Sequence, residues 1–504
     1  MELLRKVSGE ARRFRARLVA TAEIQARMLK DILARNAGCE YGRRHGFDHI
    51  QNYAQFRRSV PTVKYEDLRA DIDRMANGSA DVLTASAVLA FEETGGSAGG
   101  RKLIPHTRAS LEAFRRALRV WLDDLFSHEP RLASGTAYWA ISPACRAPRD
   151  CAAGVPIGLN DIEYFGEEMA GDVLRLLSVP PSVGALSDFD EWRSTTTAHL
   201  LADEHLTWFS IWSPAFLQIL LRCVVERGAD LVARYATRQR VAHVRAALAT
   251  GTIDFRRIWP DLRLISCWDQ AASRAPAREL AASFPGVTLQ GKGLLATEGV
   301  ISIPLQGSRM PVLAVESGFY EFVAPDGTVH SAAELVRGEA YEILLTNDSG
   351  LYRYAIGDRV RVHEFVGGAP AVEFLGRSGV VSDLCGEKLT EDFVLAALRG
   401  VELGFCALAA DSDRYVLLLD ADEVAGHDVA RLSREIDSAL ELNPQYAYAR
   451  SLGQLGALTP KFCTGPMESF QADALRRGRR LGDIKTPALC TGSEWRRAFN
   501  VVQS

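Results

Sequence analysis

Hydrophobic and polar positions along the chain repeat with two different periods. In the first forty residues apolar side chains recur at helical spacing, with Arg and Lys between them, at Leu18, Ile24, Met28, Leu29 and Ile32. This spacing is typical of amphipathic helices. Residues 81–91 form instead a run of apolar and small side chains, which predicts a buried strand. Both kinds of element are therefore expected near the N-terminus.

The middle of the chain alternates between the two periods. The pattern predicts helices at 110–126 and 241–249, and strands at 138–141, 262–266 and 287–290. The uncharged apolar stretch at 206–221 is too short to span a bilayer and predicts a buried helix with a break at Pro214. Such alternation is typical of an α/β layered fold, with α+β character in parts.

From residue 310 onward short strands predominate, separated by Gly, Asp and Pro. The predicted strands lie at 312–315, 319–323, 341–346, 360–365 and 371–375. Mixed character returns afterwards, with a strand at 415–419 and a helix at 429–442. We therefore predict a large N-terminal domain at 1–376, with a β-rich subdomain at about 310–375, and a smaller α+β C-terminal domain at 377–504.

Composition and charge exclude several classes of protein. The 504 residues are 47% hydrophobic and 24% charged, which is ordinary for a folded globular chain and argues against disorder. Lys and Arg total 59 against 63 Asp and Glu, a net charge of −4. A chain so balanced lacks the basic field that non-specific nucleic-acid binding needs, so we expect no nucleic-acid partner.

The N-terminus and the cysteines bear on location. Charges stand throughout the first eighteen residues, where a signal peptide would need an apolar core. The nine cysteines form no Cys-x-x-Cys pair and show no zinc spacing. We expect a cytoplasmic enzyme with reduced, mostly buried thiols and no membrane partner.

The glycine-rich loop after the first predicted strand is the sharpest chemical feature. It reads Thr-Gly-Gly-Ser-Ala-Gly-Gly-Arg-Lys over residues 94–102. Its backbone N–H groups, two hydroxyls and two cations suit a polyphosphate. It is not a Walker A loop, because Arg101 stands where that motif has Lys. A flexible surface turn is the alternative interpretation.

Two further segments carry candidate chemistry. In residues 292–299 Thr297 and Glu298 follow an apolar run, where the hydroxyl could contact a phosphate and the carboxylate a Mg²⁺ ion. In residues 350–358 Asp358 follows a glycine and could accept hydrogen bonds from both hydroxyls of a ribose. Taken separately, Glu298 could be a helix cap and Asp358 an ordinary turn residue.

The three segments taken in order resemble those of the adenylate-forming (acyl-AMP ligase) superfamily. The finer resemblance is to the Gretchen Hagen Three (GH3) family of acyl acid amido synthetases, in its bacterial branch. Further stretches that carry it are Lys-Leu-Ile-Pro-His-Thr at 102–107, Tyr-Trp-Ala-Ile-Ser-Pro at 138–143, Trp-Ser-Pro at 212–214, Gly-Lys-Gly-Leu-Leu-Ala-Thr-Glu-Gly at 291–299, Phe-Leu-Gly-Arg at 374–377 and Ser-Asp-Leu-Cys-Gly-Glu-Lys-Leu at 382–389. The resemblance covers nearly the whole chain.

The resemblance implies a fold, a reaction and a site. It implies a large adenylate-forming domain with layered sheets and a small mobile C-terminal domain, which use ATP and Mg²⁺ to join a small carboxylic acid to an amino acid. The nucleotide-binding residues that it implies are Thr94, Gly95, Gly96, Ser97, Ala98, Gly99, Lys102, Ala296, Thr297, Glu298, Asp358 and Arg377. Glu298 would also hold Mg²⁺, and Lys485 would be the C-terminal lysine that reaches the nucleotide. Arg377 and the segment to Lys388 would form the hinge.

The acyl pocket is expected to draw on aromatic side chains, because aromatic walls suit a planar or apolar acid. The candidates, each of which could equally be core packing, are Trp139, Tyr164, Phe165, Trp208 and Trp212. No general base for the amine can be named, and His106 is interpreted as structural.

Three positions depart from the pattern of the family. Gly96 lacks a hydroxyl, Leu294 replaces an adenine-stacking Tyr, and Ala488 replaces an Arg. Two alternatives therefore stay open. One is a ligase that transfers the acyl group to a coenzyme A or carrier-protein thiol, and the other is a non-catalytic nucleotide-binding protein of the same fold.

Overall fold

The computed structural model describes residues 2–94, 102–140, 149–159, 163–249, 253–377, 379–385, 387–477, 479 and 484–502. The chain divides into two compact units. Unit 1 comprises residues 1–137, 147–180 and 291–374, and unit 2 comprises residues 138–146, 181–290 and 375–504. Phe374 and Leu375 adjoin within one strand, two residues before the predicted domain boundary at 376/377, which stays a prediction.

Helices are distributed over the whole chain. They are α1 (Glu2–Val7), α2 (Glu10–Arg17), α3 (Thr21–Asn36), α4 (Glu40–Arg44), α5 (Tyr53–Ser59), α6 (Tyr65–Ala76), α7 (Arg108–His128), α8 (Gly166–Leu176), α9 (Phe189–Ala202), α10 (Pro214–Leu231), α11 (Arg238–Leu248), α12 (Phe255–Ile258), α13 (Arg274–Ala282), α14 (Glu391–Ala397), α15 (Val429–Leu440), α16 (Pro444–Ser451), α17 (Pro466–Arg476) and α18 (Trp495–Ala498).

Strands begin only after the N-terminal helices. They are β1 (Val88–Thr94), β2 (Lys102–Thr107), β3 (Thr136–Trp139), β4 (Arg149–Asp150), β5 (Pro156–Ile157), β6 (Leu206–Ser210), β7 (Leu264–Cys267), β8 (Thr288–Gly291), β9 (Leu295–Ala296), β10 (Gly299–Val300), β11 (Ser302–Ile303), β12 (Val312–Leu313), β13 (Phe319–Val323), β14 (Val329–Ser331), β15 (Ala340–Thr346), β16 (Tyr354–Val366), β17 (Ala369–Arg377), β18 (Val381–Ser382), β19 (Leu389–Thr390), β20 (Cys406–Asp411), β21 (Arg414–Asp420), β22 (Thr459–Cys463) and β23 (Leu489–Cys490).

Unit 1 is built on two larger sheets and a small hairpin. One sheet has the order β2-β1-β5-β4, and the seven-stranded sheet has the order β11-β12-β17-β16-β15-β13-β14. The β-rich subdomain predicted at about 310–375 stays a prediction, and the strands of the seven-stranded sheet lie between Ser302 and Arg377. Its antiparallel ladder runs from Phe319 opposite Thr346 to Val323 opposite Glu342, and the apolar residues on both faces are buried. A two-residue turn joins β9 to β10 in the hairpin.

A buried glutamine attaches the N-terminal helices to this sheet. The Gln25 side chain on α3 donates to the carbonyl oxygens of Val315 and Gly318, each at 2.8 Å. Its amide oxygen accepts from the N–H of Tyr320 at 2.9 Å. Because an amide side chain supplies donors and an acceptor together, one residue satisfies three backbone groups at the start of β13.

Unit 2 contains the sheet β3-β6-β7-β8 and the sheet β22-β21-β20-β23. In the first, β6 and β7 pair in parallel, and β6 is buried along its whole length. The sequence of a strand that is buried on both faces is a continuous apolar run, without the alternation of apolar and polar residues. In the second, β20 and β21 form an antiparallel pair, packed on α15 and α16 through Leu417, Ile436 and Tyr446.

The structure corrects two predictions and confirms most of the others. Residues 206–221 are not a broken helix, because β6 (Leu206–Ser210) comes first and α10 begins at Pro214. Periodicity cannot separate a buried strand from a buried helix over five residues. The strand predicted at 81–91 begins only at Val88. The helices predicted at 110–126, 241–249 and 429–442 are present as α7, α11 and α15.

Membrane spans and cysteines were the subject of two further predictions. No helix in the described part of the chain is long and apolar enough to cross a membrane. The eight described cysteines are free thiols, and five of them are buried: Cys39, Cys223, Cys267, Cys463 and Cys490. Reduced and mostly buried thiols were predicted.

Candidate active site

The glycine-rich loop connects the two strands of a hairpin in unit 1. Thr94 at the end of β1 lies opposite Lys102 at the start of β2. Five predicted nucleotide-binding residues in the connection, Gly95, Gly96, Ser97, Ala98 and Gly99, lie outside the described residues, as does the Thr94 side chain. The hairpin therefore fixes the positions of the two ends of the loop, at Thr94 and Lys102.

Lys102 lies against an aromatic ring that the sequence did not single out. Its Nζ is 5.4 Å from the centre of the Tyr65 ring, within the range of a cation–π contact. The hydroxyl of Tyr65 accepts from the N–H of Leu103 at 2.8 Å. Burial raises the pKa of Tyr65, so it stays a neutral phenol. Tyr65, at the start of α6, thus positions the first residues of β2.

Thr297 and Glu298 are the two residues of the turn between β9 and β10, where Ala296 pairs with Gly299. The backbone carbonyl of Glu298 accepts from the Asn347 side-chain amide at 2.7 Å, which ties the turn to the end of β15. Although it sits at a hairpin tip, Glu298 is 7% exposed. Thr297 and Ala296 are half-buried.

The approach to this hairpin requires a glycine. A Cβ on Gly293 would stand 2.0 Å from the carbonyl oxygen of Ser302. The chain there is held closely, since the Leu294 N–H donates to the Ser302 hydroxyl at 2.9 Å. Gly293 therefore permits a backbone contact that any other residue would block.

Tyr354 connects the hairpin to the rest of unit 1. Its hydroxyl lies 3.5 Å from Oε1 of Glu298 and donates to it. Burial, and then the negative charge of Glu298, raise the pKa of Tyr354 well above its ordinary value. Tyr65 and Glu66 also act on this phenol. Two contacts thus lie in unit 1, one between Lys102 and Tyr65 and one between Tyr354 and Glu298. Motifs in the sequence had singled out only Lys102 and Glu298.

Asp358 lies four residues beyond Tyr354 on β16 and is 1% exposed. The pairing of β15 with β16 shifts register between Ala355 and Arg359, and Gly357 in between has φ +79°. This is a β-bulge, in which a glycine with positive φ is the expected residue. The bulge explains why a glycine, Gly357, precedes Asp358.

Arg353 in the same segment has a structural contact network. It is 5% exposed, and its Nε lies 2.9 Å from Oε2 of Glu321, which is 1% exposed. Its Nη1 donates to the carbonyls of Arg57 and Val60. Since a buried charge needs a partner and further hydrogen bonds, this network accounts for the arginine without a ligand.

In unit 2, Arg377 is half-buried at the end of β17. The nearby segment, which is predicted to be a hinge, is held by Glu387, which is fully buried and accepts from the N–H groups of Leu384 at 2.7 Å and Cys385 at 2.8 Å. The hydroxyl of Tyr415 also donates to Glu387. Lys388, the next residue, has φ +46°, a backbone conformation that residues other than glycine rarely adopt.

Lys485 is exposed, and its Nζ lies 4.8 Å from the centre of the Trp268 ring. Three residues later the chain is anchored to the C-terminal sheet. The N–H of Ala488 donates to Glu391 at 2.9 Å, and its carbonyl accepts from the N–H of Leu408 at 2.8 Å. Lys485 is therefore an exposed cation on a segment that is anchored to the sheet.

The structure divides the aromatic candidates between the units. Tyr164 and Phe165 belong to unit 1, whereas Trp139, Trp208 and Trp212 belong to unit 2. In unit 2 the rings of Trp139 and Trp208 meet edge to face at 5.5 Å, and Trp208 is 1% exposed. Trp208 thus has a core-packing role. Trp212 is half-buried and lies 6.0 Å from Trp268, the ring beside Lys485.

At two of the positions that depart from the family pattern, the surrounding structure is consistent with the residue that is present. Ala488 is 2% exposed within the core of the C-terminal sheet, where a charged side chain would be desolvated. Leu294 is half-buried, and its backbone accepts from the N–H groups of Ile301 and Ser302. Its backbone therefore keeps the hairpin in place whatever the side chain is.

The fold is that of an adenylate-forming ligase. A solved acyl acid amido synthetase, in complex with 2,4-DB, matches with a TM-score of 0.87 at 20% identity, over 98% of this chain and 96% of that one. A solved 2-hydroxyisobutyryl-CoA ligase in its postadenylation state matches with a TM-score of 0.57 at 12% identity, over 95% of this chain and 90% of that one. The predicted fold class is confirmed.

The chain belongs to the GH3 family. The GH3 family N-terminal domain matches residues 10–289, and the GH3 family central domain matches residues 311–377. A probable indole-3-acetic acid-amido synthetase of Oryza sativa subsp. japonica is 25% identical over 92% of this chain and 90% of its own length. An indole-3-acetic acid-amido synthetase of Arabidopsis thaliana is 21% identical over 92% of this chain and 88% of its own. The resemblance inferred from the motifs is confirmed.

Proposed function

We propose that this chain is an ATP-dependent acyl acid amido synthetase. It activates a small carboxylic acid as acyl-AMP with release of pyrophosphate, and then transfers the acyl group to the amine of an amino acid with release of AMP. Membership in the GH3 family, over more than half of the chain, is the observation that carries this proposal. The contacts of Lys102 with Tyr65 and of Tyr354 with Glu298 support it.

In the first half-reaction a carboxylate oxygen attacks the α-phosphorus of ATP, and the bond to pyrophosphate breaks. Both reactants are anionic, so cations must offset their repulsion and the charge that develops in the transition state. Lys102 and Lys485 are the residues that we assign to this task. The backbone N–H groups of residues 95–99 would hold the phosphates.

The other nucleotide contacts follow from the same assignment. Thr297 would donate its hydroxyl to the α-phosphate, and Asp358 would accept from the ribose hydroxyls. Arg377 would contact the nucleotide from the hinge.

Glu298 fits a Mg²⁺ ion that is otherwise held by phosphate and water. Among the described residues no group of three or more His, Cys, Asp or Glu side chains could hold a metal by itself. Mg²⁺ in nucleotide sites usually takes only one or two carboxylates and completes its shell with phosphate oxygens and water. The single, nearly buried carboxylate of Glu298 is such a ligand. The ion would supply charge neutralisation at the phosphates.

In the second half-reaction the amine nitrogen attacks the acyl carbon, the bond to AMP breaks, and the amine gives up a proton. The protein must position the amine and exclude water, which would otherwise hydrolyse the adenylate. We infer that residues 377–504 rotate between the two half-reactions. Aromatic side chains of a single unit, Tyr164 and Phe165 in unit 1 or Trp139 and Trp212 in unit 2, would line the acyl pocket, whereas Trp208 packs in the core.

A co-substrate screen tests the proposal. Purified protein with ATP and Mg²⁺ is mixed with pairs of acids and amino acids, and AMP release is measured. Indole-3-acetic acid belongs in the panel because curated relatives are named for it. We expect AMP release that needs both an acid and an amino acid, with an amide as product.

The alternatives give different results in the same assay. Coenzyme A is included as a competing acceptor. A thioester with no amide would identify a thiol-transferring ligase. ATP binding without pyrophosphate exchange for any acid would identify a non-catalytic nucleotide-binding protein.

A further inference from the structure

His106 is a buried histidine on the strand that leaves the glycine-rich loop. It is 6% exposed and pairs with Ala90 across the β1–β2 hairpin. Since side chains alternate along a strand, His106 shares one face with Ile104 and Lys102. Glu92, which pairs with Ile104, lies on the same face.

Neither ring nitrogen of His106 has a hydrogen-bond partner among the residues that the structure describes. Burial lowers the pKa of His106 to about 4, so the ring is neutral near pH 7. A neutral imidazole has one N–H donor and one acceptor nitrogen. Buried polar atoms without partners carry a free-energy cost, and a native protein that keeps them calls for an explanation.

The side chains beside His106 form an aromatic wall. The ring of Tyr164 stands perpendicular to the His106 ring, with 6.4 Å between centres, and the ring of Phe114 lies 4.9 Å from Tyr164. Phe114 and Tyr164 are both only half-buried. The wall therefore leaves aromatic surface for a further ring.

The carboxylate of Glu92 is engaged by other groups. It accepts from the Tyr164 hydroxyl at 2.9 Å and from the N–H of Leu159 at 2.6 Å. Those bonds hold Tyr164 at its place beside His106. A second anion at this point would be repelled by Glu92, whereas a neutral hydroxyl would not.

We propose that His106 is a specificity-determining residue that hydrogen-bonds a hydroxyl on the aromatic ring of the acyl acid. The inference rests on the proposed function. A hydroxyl donates and accepts, so it matches both functions of the neutral ring. The position along the strand also fits: four residues of extended chain separate Lys102 from His106 by about 13 Å. The carboxylate of the acid must react near the phosphates, to which we assign Lys102, so a ring that lies along β2 would present its far end to His106.

Matched pairs of acids test this inference. Pyrophosphate exchange is measured with benzoate and 4-hydroxybenzoate, and with phenylacetate and 4-hydroxyphenylacetate. The wild type should prefer the hydroxylated member of at least one pair by about tenfold or more in kcat/KM, because a site built to hydrogen-bond a hydroxyl rejects the analogue without it. His106→Leu should abolish the preference, mainly through a higher KM for the hydroxylated acid.

Two further variants separate binding from folding. His106→Asn keeps a donor and an acceptor and should keep part of the preference. His199→Leu is the matched control, since His199 stacks on Tyr235 in unit 2. It should leave the preference unchanged. Because the His106 nitrogens are unpaired, His106→Leu should unfold at the same temperature as the wild type or higher.

Each possible result of these assays supports or overturns the inference about His106. A wild type without any hydroxyl preference overturns the inference, as does an unchanged preference in His106→Leu. If His106→Leu lowered kcat/KM equally for both members of a pair and also lowered the melting temperature, His106 would be structural. Absence of exchange with these four acids, when another acid supports AMP release, overturns the inference alone, as does exchange with an unaltered ratio. Absence of exchange and of AMP release with every acid of the broader panel would refute the proposed function itself.

Discussion

The hydroxyl of Tyr354 lies 3.5 Å from Oε1 of Glu298, and this contact joins two segments that stand 56 residues apart in the chain. Glu298 belongs to the turn of a hairpin, and Tyr354 begins the long strand β16. The tyrosine limits where the carboxylate can lie. A nearly buried carboxylate in a fixed position is preorganised for the Mg²⁺ ligand role that we assign to it.

The first prediction concerns this carboxylate. Glu298→Ala, or Glu298→Gln, should slow adenylation at least about tenfold, a barrier increase of about 1.4 kcal/mol, because the negative ligand for the metal is lost. Pyrophosphate exchange at saturating ATP measures it. Glu66→Gln removes an exposed carboxylate that also acts on Tyr354 and serves as the control. Wild-type exchange in both Glu298 variants would refute the metal assignment.

The second prediction concerns Lys485. Replacement by Ala should also slow adenylation at least about tenfold, since a cation that offsets charge in the transition state is removed. Folding should be unaffected to within about 0.5 kcal/mol, because the side chain is exposed. Lys461→Ala, on β22 of the same unit, is the matched control. Equal rates for the two variants would contradict the role of Lys485.

The third prediction separates structure from chemistry at Arg353. Arg353→Ala should destabilise the fold by about 3–5 kcal/mol, because it leaves the buried carboxylate of Glu321 without its partner. Replacing both residues by apolar ones, as in Arg353→Met with Glu321→Leu, should recover much of the loss. Urea unfolding measures both. If Arg353→Ala abolished exchange while stability stayed at the wild-type value, Arg353 would instead act on the substrate.

The fourth prediction is a pH dependence in unit 2. Oε1 of Glu423 and Oε2 of Glu279 both lie within 2.8 Å of the point where a Cβ on Gly404 would stand. Burial, and then the charges of Glu279 and Asp420, raise the pKa of Glu423. A carboxyl whose pKa is raised on folding stabilises the fold at low pH, and this contribution is lost as the pH rises through the raised value.

Glu423→Gln should therefore raise the melting temperature at pH 7, and the difference should disappear as the pH falls to about 4. The amide oxygen can still accept from the N–H of Phe405, which lies 3.0 Å from the carboxylate. Asp422→Asn, an exposed neighbour, is the control and should change little. A Glu423→Gln protein less stable than the wild type at pH 7 would contradict the argument.

Strong local patterns were predicted correctly because short-range sequence decides them. Helix α7 carries its own N-cap, as Thr107 accepts from the N–H of Ser110, and its apolar positions keep helical spacing. The strand predicted at 319–323 is β13 with the same ends. Residues 206–221 were predicted wrongly, because full burial removes the alternation that distinguishes a strand from a helix.

The candidate site was predictable only in part. Thr297, Glu298 and Lys102 belong to motifs with characteristic spacing, so they can be identified from the sequence. Tyr65 carries no such signal, and neither does Asn347, which holds the backbone of Glu298. Such residues are found only where the chain brings distant segments together.

By itself the sequence determined the elements, the family and the residue types available for phosphate and metal chemistry, because these depend on local periodicity and on motifs. Only the tertiary structure decided that Arg353 pairs with a buried glutamate and that His106, beside an aromatic wall, has no hydrogen-bond partner among the described residues. Burial and partnership are properties of packed segments, and the free energy of a buried polar group depends on which neighbours packing supplies.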